Sequence, residues 1–290
     1  GMKFSLFTII DVGLRTATDL TSKGVEISAV IDSRDGPPPV RLAGTRIVMG
    51  GRVVDTKGRH GIHSLVLSNG EKISADCLAV SGGWNPNVYL TCHKGDRPIW
   101  NQDIAAFVPG VDTPLGMAVA GSAGGTMTLA ATLKEGCNAG NIAAKELGYS
   151  PVNTVELRAE DESADVSAFW YVKESTVRSW LDLQNDVTVK DVKLSYQEGF
   201  RSVEHLKRYT TLGMATDQGK TANIPALAVM AECTGKSIQE TGTTIFRPPY
   251  TPVPIAAFAG RFRGKDFRPY RLTPSHQSVS YTHLTLPTKA

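Results

Sequence analysis

The start of the chain alternates between apolar runs and an amphipathic segment. Residues 4–10, FSLFTII, form a continuous apolar run with the length of a buried strand. In residues 11–24, DVGLRTATDLTSKG, the apolar side chains share one helical face and a glycine marks the end. Residues 25–32, VEISAVID, give a second apolar strand that ends at Asp32. The pattern therefore predicts a βαβ unit.

The position of Asp32 indicates a nucleotide as the ligand of this unit. It lies about 20 residues after the first turn, where dinucleotide-binding units place the acid that accepts hydrogen bonds from the adenosine ribose. The turn itself offers Thr8, Asp11 and Gly13 as candidates but lacks the glycine fingerprint, so a generic βαβ unit remains the alternative. Arg34 beside Asp32 leaves the choice between a 2′-hydroxyl and a 2′-phosphate open.

A second glycine-rich turn follows a run of short strands in which Asn69-Gly70 predicts a hairpin. An apolar strand runs directly into residues 81–86, SGGWNP. This segment resembles the place where two-dinucleotide-binding flavoproteins return from the nicotinamide domain to the flavin domain. Glycine at a strand end lets the backbone approach a pyrophosphate closely. The candidate cofactor-binding residues here are Ser81, Gly82, Trp84 and Pro86.

A third candidate turn, GSAGG at 121–125, follows a strand predicted over residues 117–120 and precedes an alanine-rich helix. In similar flavoproteins this strand ends in Gly-Asp, and the aspartate holds the flavin ribityl chain; here Ser122 stands in that place. We therefore expect a dinucleotide other than tightly bound flavin, or none. Close packing of a helix on a sheet is the alternative, which explains the alanines but not the turn. The candidates are Gly121, Ser122 and Gly124.

The second half of the chain changes character. Residues 151–175 read as a linker. Three short helices are predicted: the first starts at Thr188, the second begins at Ser202 and ends at Gly213, and the third is capped by Asn223. Their arrangement resembles the small helical module that binds a two-iron cluster through four cysteines. None of the corresponding residues can act as a thiolate ligand, so we expect no iron and interpret the module as an interface element. These residues are Asp182, Gln184, Asp217 and Ala222.

A proline-rich arm follows the helices. Four prolines within residues 242–254 exclude a helix or a central strand and predict an extended segment. The arm combines hydroxyl groups, a guanidinium and aromatic rings, which are the groups that would bind a phosphate-bearing flavin. A rigid structural arm is the alternative. The candidate residues are Thr243, Thr244, Arg247 and Tyr250.

Composition narrows the class of protein. The 290 residues are 41% hydrophobic and 20% charged, with a formal net charge of +3, which argues against a nucleic-acid partner. No segment approaches the roughly 20 apolar residues of a membrane span, so we expect a cytoplasmic protein. The four cysteines show no metal spacing and are interpreted as thiols in a reducing compartment. A basic cluster at 261–271 reads as a solvated loop, with an anion or partner contact as the alternative.

Both ends have unusual features. Gly1 before Met2 indicates an expression scar or an internal fragment, and residues 277–290 read as a non-native tail that we expect to be disordered. The interpretation divides the chain into six parts. They are an inserted NAD-binding-like unit at 1–78, a return to a flavoprotein-type domain at 79–150, the linker at 151–175, the helical module at 176–241, the arm at 242–276 and the tail.

Several long stretches resemble one family, the alpha subunits of heterotetrameric sarcosine oxidase. They lie at 7–20, 81–93, 183–192, 198–221 and 242–276, and the resemblance covers residues 4–276. Ile9-Ile10 departs from the family, in which polar residues are expected at the phosphate-side turn. The resemblance implies an α/β, two-dinucleotide-binding flavoprotein-like fold, present in part, followed by a helical cluster-type module without its cysteines.

The resemblance also implies cofactors and partners. The alpha subunit would carry NAD, FMN would lie at its interface with the beta subunit with Arg247 as a leading contact, and FAD would lie in the beta subunit. Tetrahydrofolate would bind a C-terminal aminomethyltransferase-like domain that this sequence does not reach, and gamma and delta subunits complete the oxidase. This chain alone is expected to be inactive. A stand-alone NAD(P)H-dependent flavoprotein reductase and a non-catalytic interaction module remain the alternatives.

Overall fold

The apolar runs at the start of the chain form a parallel four-stranded sheet with the order β3-β2-β1-β7. Thr8 pairs with Asp32 on one side and with Ser81 on the other, so three predicted site residues end neighbouring strands at one edge. The predicted βαβ unit is therefore confirmed. Its elements are β1 (Phe4–Thr8), α1 (Asp11–Ser22), β2 (Ile27–Asp32), β3 (Arg46–Met49) and β7 (Cys77–Ser81).

These elements belong to a computed structural model that describes residues 1–42, 44–150, 157–160, 163–249, 251–261, 264 and 271–278. The chain divides into two compact units, Gly1–Tyr250 and Thr251–Ala290. The first four predicted domain boundaries, after residues 78, 150, 175 and 241, fall inside the first unit, and they stay predictions. Tyr250, with its predicted role as a flavin contact, and residues 279–290 of the predicted tail lie outside the described residues.

The two faces of the parallel sheet pack against different layers. Leu6 and Val30 face Leu14 of α1, whereas Ile31 faces Leu65 in a three-stranded antiparallel sheet. Alternate residues of a strand point to opposite faces, which is why both faces of these strands are apolar. The antiparallel sheet consists of β4 (Val53–Lys57), β5 (Ser64–Leu67) and β6 (Lys72–Ser74), and β5 and β6 form the predicted hairpin around Asn69-Gly70.

The next part of the chain ends in a long surface helix. Residues 117–120 were predicted as a strand, and this prediction is wrong for the described chain. Ala120 has extended dihedral angles, but a strand also needs a hydrogen-bonded neighbour, and no described strand pairs with this segment. No residue of α3 is buried. The elements are α2 (Tyr89–Cys92), β8 (Ile99–Asn101), β9 (Ala106–Val108), a 3₁₀ turn (Gly121–Gly124) and α3 (Leu129–Glu146).

The predicted helical module is present. Thr188 and Asp191 form a capping box, and Ser202 caps the second helix. That helix ends earlier than the predicted Gly213, because Thr211 already has a left-handed conformation with φ 63°. Asn223 is the first residue of the third helix rather than its cap. The elements are β10 (Trp180–Asp182), β11 (Val187–Thr188), α4 (Val189–Gln197), α5 (Val203–Thr210), α6 (Asn223–Thr234) and α7 (Ile238–Thr241).

The remaining described part of the chain belongs to the second unit and contains α8 (Ile255–Ala259). Of the predicted arm, residues 242–249 have no regular secondary structure in the first unit, consistent with their prolines. Within the described ranges, none of the helices is long and apolar enough to span a bilayer. The same ranges contain no group of three or more acidic, histidine or cysteine side chains placed to hold a metal ion.

Candidate functional site

The candidate site lies at the carboxyl edge of the parallel sheet, where ligands of open α/β folds bind. Gly13 allows α1 to approach this edge, because a Cβ atom there would lie 2.2 Å from Thr8 Oγ1 and 3.2 Å from Ser81 Cβ. The Thr8 hydroxyl donates to the carbonyl of Ile10 at 2.8 Å and accepts its N–H at 3.2 Å. Thr8 is also fully buried, and its hydroxyl both donates and accepts a hydrogen bond within the turn.

The two isoleucines of this turn are part of the core. Ile9 and Ile10 are both buried, and the N–H of Ile9 donates to the carbonyl of Ser81 at 3.3 Å. Ile10 stands at the N-terminal cap of α1 without a side-chain hydrogen bond. Apolar residues at these two positions therefore pack inward, where the family resemblance led us to expect polar ones.

An ion-pair network joins the end of β2 to the start of α1. Nε of Arg34 donates to Asp32 Oδ1 at 3.0 Å, and its Nη2 donates to Asp32 Oδ2 at 2.7 Å. The third nitrogen, Nη1, lies 2.8 Å from Oδ1 of Asp11. The Asp32 side chain is completely buried, while those of Arg34 and Asp11 are each 16% exposed. Asp32, predicted to accept ribose hydroxyls, is therefore bound by the chain itself.

The network sets the charge states of its members. Burial would raise the pKa of Asp11, but hydrogen bonds from Ser163 and Arg34, together with the charges of Arg34 and Arg15, outweigh it and lower that pKa. The hydrogen bonds to Asp32 raise the pKa of Arg34 above its ordinary value, with Asp11 adding to the effect. The acid and the guanidinium thus both stay ionised.

A segment from the predicted linker crosses this edge; we call residues 163–175 the crossing segment. Val166 forms an antiparallel bridge with Ile10, and the N–H of Ser167 donates to the carbonyl of Ile9 at 3.1 Å. The carbonyl of Asp165 accepts from Arg34 Nη1 at 3.2 Å. Sequence reasoning missed this contact. The alternation of Ala164, Val166 and Ala168 with polar residues is the signal that could have indicated a strand-like pairing.

The crossing segment continues along the first unit. Phe169 packs against Phe7 with ring centroids 5.8 Å apart, and Glu174 forms an ion pair with Arg52. The hydroxyl of Ser175 donates to the carbonyl of Val54 at 2.8 Å. Residues 163–175 of the predicted linker are therefore packed against the parallel and the antiparallel sheet.

The turn after β7 lines a small cavity beneath the crossing segment. Trp84 is 68% exposed, and Pro86 is buried. A Cβ on Gly82 would meet no atom within 4 Å, which leaves its backbone accessible. The cavity has a volume of about 60 Å³, well below the roughly 300–1,000 Å³ of small-molecule sites. Its lining consists of Ile10, Val12, Trp84, Ile104, Met127, Ala164 and Val166.

The GSAGG turn is hydrogen-bonded to a side chain of α3, the helix that follows it. The N–H of Gly121 donates to Glu135 Oε2 at 3.0 Å, so this group already has an anionic acceptor. Gly121 has φ 68°, and a Cβ there would lie 2.9 Å from the methyl carbon of Thr132. Ser122 is exposed and Gly124 is half-buried. Glycine is thus required at 121 for packing and backbone conformation, whether or not a phosphate binds.

Asp182 joins two loops of the helical module. Asp182 is buried, and its Oδ1 accepts the N–H groups of Gln184 and Asn185 at 2.9 and 3.1 Å. Its Oδ2 accepts the N–H of Gly213 at 2.8 Å. Gln184 in turn accepts the hydroxyl of Thr216 at 3.4 Å. A carboxylate therefore joins the two loops that a cluster would otherwise join.

Comparison with known proteins identifies the family. Residues 176–261 match the model described as "Sarcosine oxidase A3 domain". The chain is 39% identical over 278 residues to the sarcosine oxidase subunit alpha of Rhizobium meliloti (strain 1021). This alignment covers 94% of this chain and 28% of that protein. This chain belongs to the sarcosine oxidase alpha-subunit family. The corresponding protein of Corynebacterium sp. (strain P-1) is 34% identical over 299 residues, covering 95% of this chain and 31% of that protein.

The chain spans less than a third of the length of each of these relatives. Among solved structures, the L-proline dehydrogenase of P. horikoshii superposes with a TM-score of 0.65 at 19% identity, over 88% of this chain and 49% of that one. This similarity confirms the mixed α/β fold. The match to the A3 domain runs from residue 176 across residue 241 to residue 261.

The arm of this alpha-subunit family member is fixed by two amide side chains. Gln218 Nε2 donates to the carbonyls of Arg247 and Pro249 at 2.8 and 3.3 Å, and its Oε1 accepts the N–H of Arg247 at 2.9 Å. Asn223 donates to the hydroxyl of Thr244 at 3.4 Å, and the hydroxyl of Thr243 donates to the Thr244 carbonyl. The Arg247 residue is exposed, so its backbone is fixed while its side chain faces solvent.

Proposed function

We propose that this chain is the scaffold part of an alpha subunit in a flavin-dependent complex that oxidatively demethylates sarcosine. In this proposal the one-carbon unit passes to tetrahydrofolate, the electrons pass to oxygen, and beta, gamma and delta subunits complete the enzyme. The observation that carries it is the 39% identity over 94% of the chain to a sarcosine oxidase subunit alpha. The FAD and tetrahydrofolate sites of the proposal would involve no residue identified in this chain.

Our proposal places NAD at the carboxyl edge of the parallel sheet, close to Asp32 and the turns at Gly82 and Gly121. The arrangement supports a contact different from the one predicted from sequence. Asp32 is inaccessible and its carboxylate is bound by Arg34, so a ribose would meet the exposed members of the network, Arg34 and Asp11. The small cavity further requires the crossing segment to move if a whole dinucleotide is to enter.

The proposed FMN contact uses the arm at the interface with the beta subunit. FMN would supply one-electron and two-electron transfer, and Arg247 would neutralise its phosphate while Thr243 and Thr244 offer hydroxyl groups. Support comes from the fixed backbone of Arg247, because a guanidinium on an anchored backbone loses less conformational freedom on binding. Tyr250, the proposed stacking partner, lies outside the described residues.

The proposal is tested in a chimera. The matching segment of the Rhizobium meliloti alpha subunit is replaced by this chain, and the chimera is expressed with its partner subunits. We expect an assembled complex with sarcosine-dependent oxygen consumption and bound NAD and FMN. Arg247→Ala should lower FMN content while assembly is retained, and Arg59→Ala, at an exposed position outside the arm, serves as the matched control. A complex that assembles without any sarcosine turnover would contradict the proposed function.

A further inference from the structure

We propose that a cavity at the C-terminal end of α6 binds a small alkylated ammonium ion, with Trp100, Trp170 and Glu232 as its contacts. The cavity has a volume of about 390 Å³, within the roughly 300–1,000 Å³ of small-molecule sites. Its lining comes from β8 and the turn after it, the crossing segment, α6 and the start of α7. This inference does not rest on the proposed function and adds a ligand site to it.

Two indole rings form a corner of this cavity. The rings of Trp100 and Trp170 have centroids 6.1 Å apart and planes tilted by 53°, so they adjoin without stacking. Trp100 is held in place, because its Nε1 donates to Gln102 Oε1 at 2.9 Å and its ring meets that of Phe107 edge-on at 5.2 Å. The faces of aromatic rings carry partial negative charge, and tryptophan binds cations best among them.

The end of α6 supplies small side chains and a second source of negative charge. Ala228 and Ala231 are three positions apart, so they share one face of this helix, and both line the cavity. Gly235, the C-terminal cap, lies beside them in the lining. The last turn of α6 contains no basic residue. Because the C-terminal end of a helix is partially negative, it stabilises a nearby cation.

Glu232 brings a carboxylate to the lining. Its Oε2 accepts the hydroxyl of Tyr171 at 3.0 Å, and its Oε1 lies 3.0 Å from Nζ of Lys173. The same Nζ lies 5.8 Å from the ring centroid of Tyr171, so the chain already places an ammonium group against this carboxylate and an aromatic ring. The Lys173 side chain is 64% exposed, and such surface ion pairs are weak. A ligand cation can therefore replace it at small cost.

The remaining charges near the cavity have partners of their own. Lys236 lines the cavity but is exposed. Hydrogen bonds from Ser237 and then the charge of Lys236 lower the pKa of Glu240, so Lys236 has an acidic neighbour. Lys193 lies over Tyr171, with Nζ 5.4 Å from the ring centroid. An anion in the cavity would meet the carboxylate, the end of α6 and the indoles, which all favour a cation.

The lining also indicates the kind of cation. A metal ion needs several oxygen, nitrogen or sulfur ligands, and the described ranges contain no group of three or more side chains placed to hold one. The cavity offers one carboxylate among indole rings and alanines. An alkylated ammonium ion matches this combination, because its alkyl groups pack on apolar surface while its charge faces the rings and the carboxylate.

The test compares two probes of the same shape that differ in charge, choline and its neutral isostere 3,3-dimethyl-1-butanol. Both are titrated into the chain by isothermal titration calorimetry at one ionic strength. We expect choline to bind at least about tenfold more tightly. Glu232→Gln should lower the affinity for choline about five- to tenfold and leave that for the isostere unchanged. Glu146→Gln, at an exposed position on α3, is the matched control.

Two further variants separate binding from stability. Lys173→Ala removes the competing ammonium group and should raise the affinity for choline about two- to fivefold, an increase that a purely structural role of the ion pair would not produce. Trp170→Leu should lower the affinity for choline about fivefold. Trp180→Leu, which removes an indole from β10, is its matched control and should leave the affinity unaltered.

Each outcome decides one part of the inference. Equal affinities of choline and its isostere for the unmodified chain would overturn the cation site, even if the variants failed to fold. No binding of either probe would overturn the ligand site altogether. A folded Glu232→Gln protein with unchanged affinity for choline would overturn the role of Glu232. The proposed NAD and FMN contacts involve other residues, so these results leave them unaffected.

Discussion

Asp182 accepts the backbone N–H of Gly213 at 2.8 Å, and this contact joins two loops that are 31 positions apart in sequence. The same carboxylate accepts two N–H groups from its own turn. These hydrogen bonds connect the loops of a cluster-type module that has no cysteines to connect them. In the described module, a buried carboxylate with three backbone donors holds together loops that resemble the two sides of a cluster site.

This arrangement predicts that Asp182→Asn lowers stability. The amide keeps one acceptor oxygen but turns its NH₂ group towards a backbone donor, so at least one charged hydrogen bond is lost. We expect the free energy of unfolding to fall by about 2–3 kcal/mol, measured by urea denaturation. Asp186→Asn is the control, because Asp186 is exposed in the same turn with φ 54°, a conformation that asparagine tolerates. Equal losses in both variants would contradict the prediction.

Two glycine-to-alanine changes should have opposite effects on the free energy of unfolding. At Gly13 the new methyl group would lie 2.2 Å from Thr8 Oγ1, a distance that forces α1 away from the sheet. We expect a loss of roughly 1–3 kcal/mol from this overpacking. At Gly136, in the exposed α3, a methyl group meets no atom within 4 Å, so the better helix propensity of alanine should stabilise by up to about 1 kcal/mol. Thermal and urea unfolding of both variants give the comparison; equal effects would be incompatible with it.

The sequence predicted best those features that depend on neighbouring residues. The βαβ unit, the hairpin at Asn69-Gly70 and the starts after Thr188 and Ser202 all follow from local periodicity, turn and capping preferences. The strand predicted over 117–120 failed because a strand is defined by its partner, which local sequence does not contain. The same limit hid the pairing of Val166 with Ile10 across more than half of the first unit.

The sequence predicts where the candidate site lies, but not how its charged side chains pair with one another. The three residues Thr8, Asp32 and Ser81 do meet at one edge, because parallel strands place their carboxyl ends together. The sequence could not specify that Arg34 turns back onto Asp32, since this depends on side-chain rotamers and on the carbonyl of Asp165 from a distant segment. The direct ribose contact of Asp32 stays a prediction, which the burial of its carboxylate makes harder to fulfil.

The lowered pKa of Asp11 predicts a pH dependence of stability. Its folded-state pKa lies below that of an unfolded aspartate, about 3.9. The stabilisation is therefore fully present above that unfolded value and is lost as the pH falls through the folded value. We expect the difference in unfolding free energy between the unmodified protein and Asp11→Asn to be constant above about pH 5 and to shrink below about pH 4. Urea unfolding across this range measures it, and a difference independent of pH would refute it.

The last prediction concerns how the arm is held before any partner or flavin binds. The side chain of Gln218 makes three hydrogen bonds to the backbone of Arg247 and Pro249. Gln218→Ala removes all three, and at a net contribution of roughly 1 kcal/mol for each of the two short bonds the undocked arm should become about 30-fold more populated. Limited proteolysis with mass spectrometry should then show faster cleavage within residues 242–249.

Gln197→Ala, at an exposed position on α4, is the control for the loss of a glutamine side chain. Its cleavage pattern should match that of the unmodified protein. If Gln218→Ala accelerates cleavage and also weakens FMN retention in the chimera, the arm acts as a preorganised ligand for the flavin phosphate, because its docking reduces the entropy lost on binding. Faster cleavage with full FMN content would instead assign Gln218 to stabilising the arm alone, and unchanged cleavage would show that other contacts hold it.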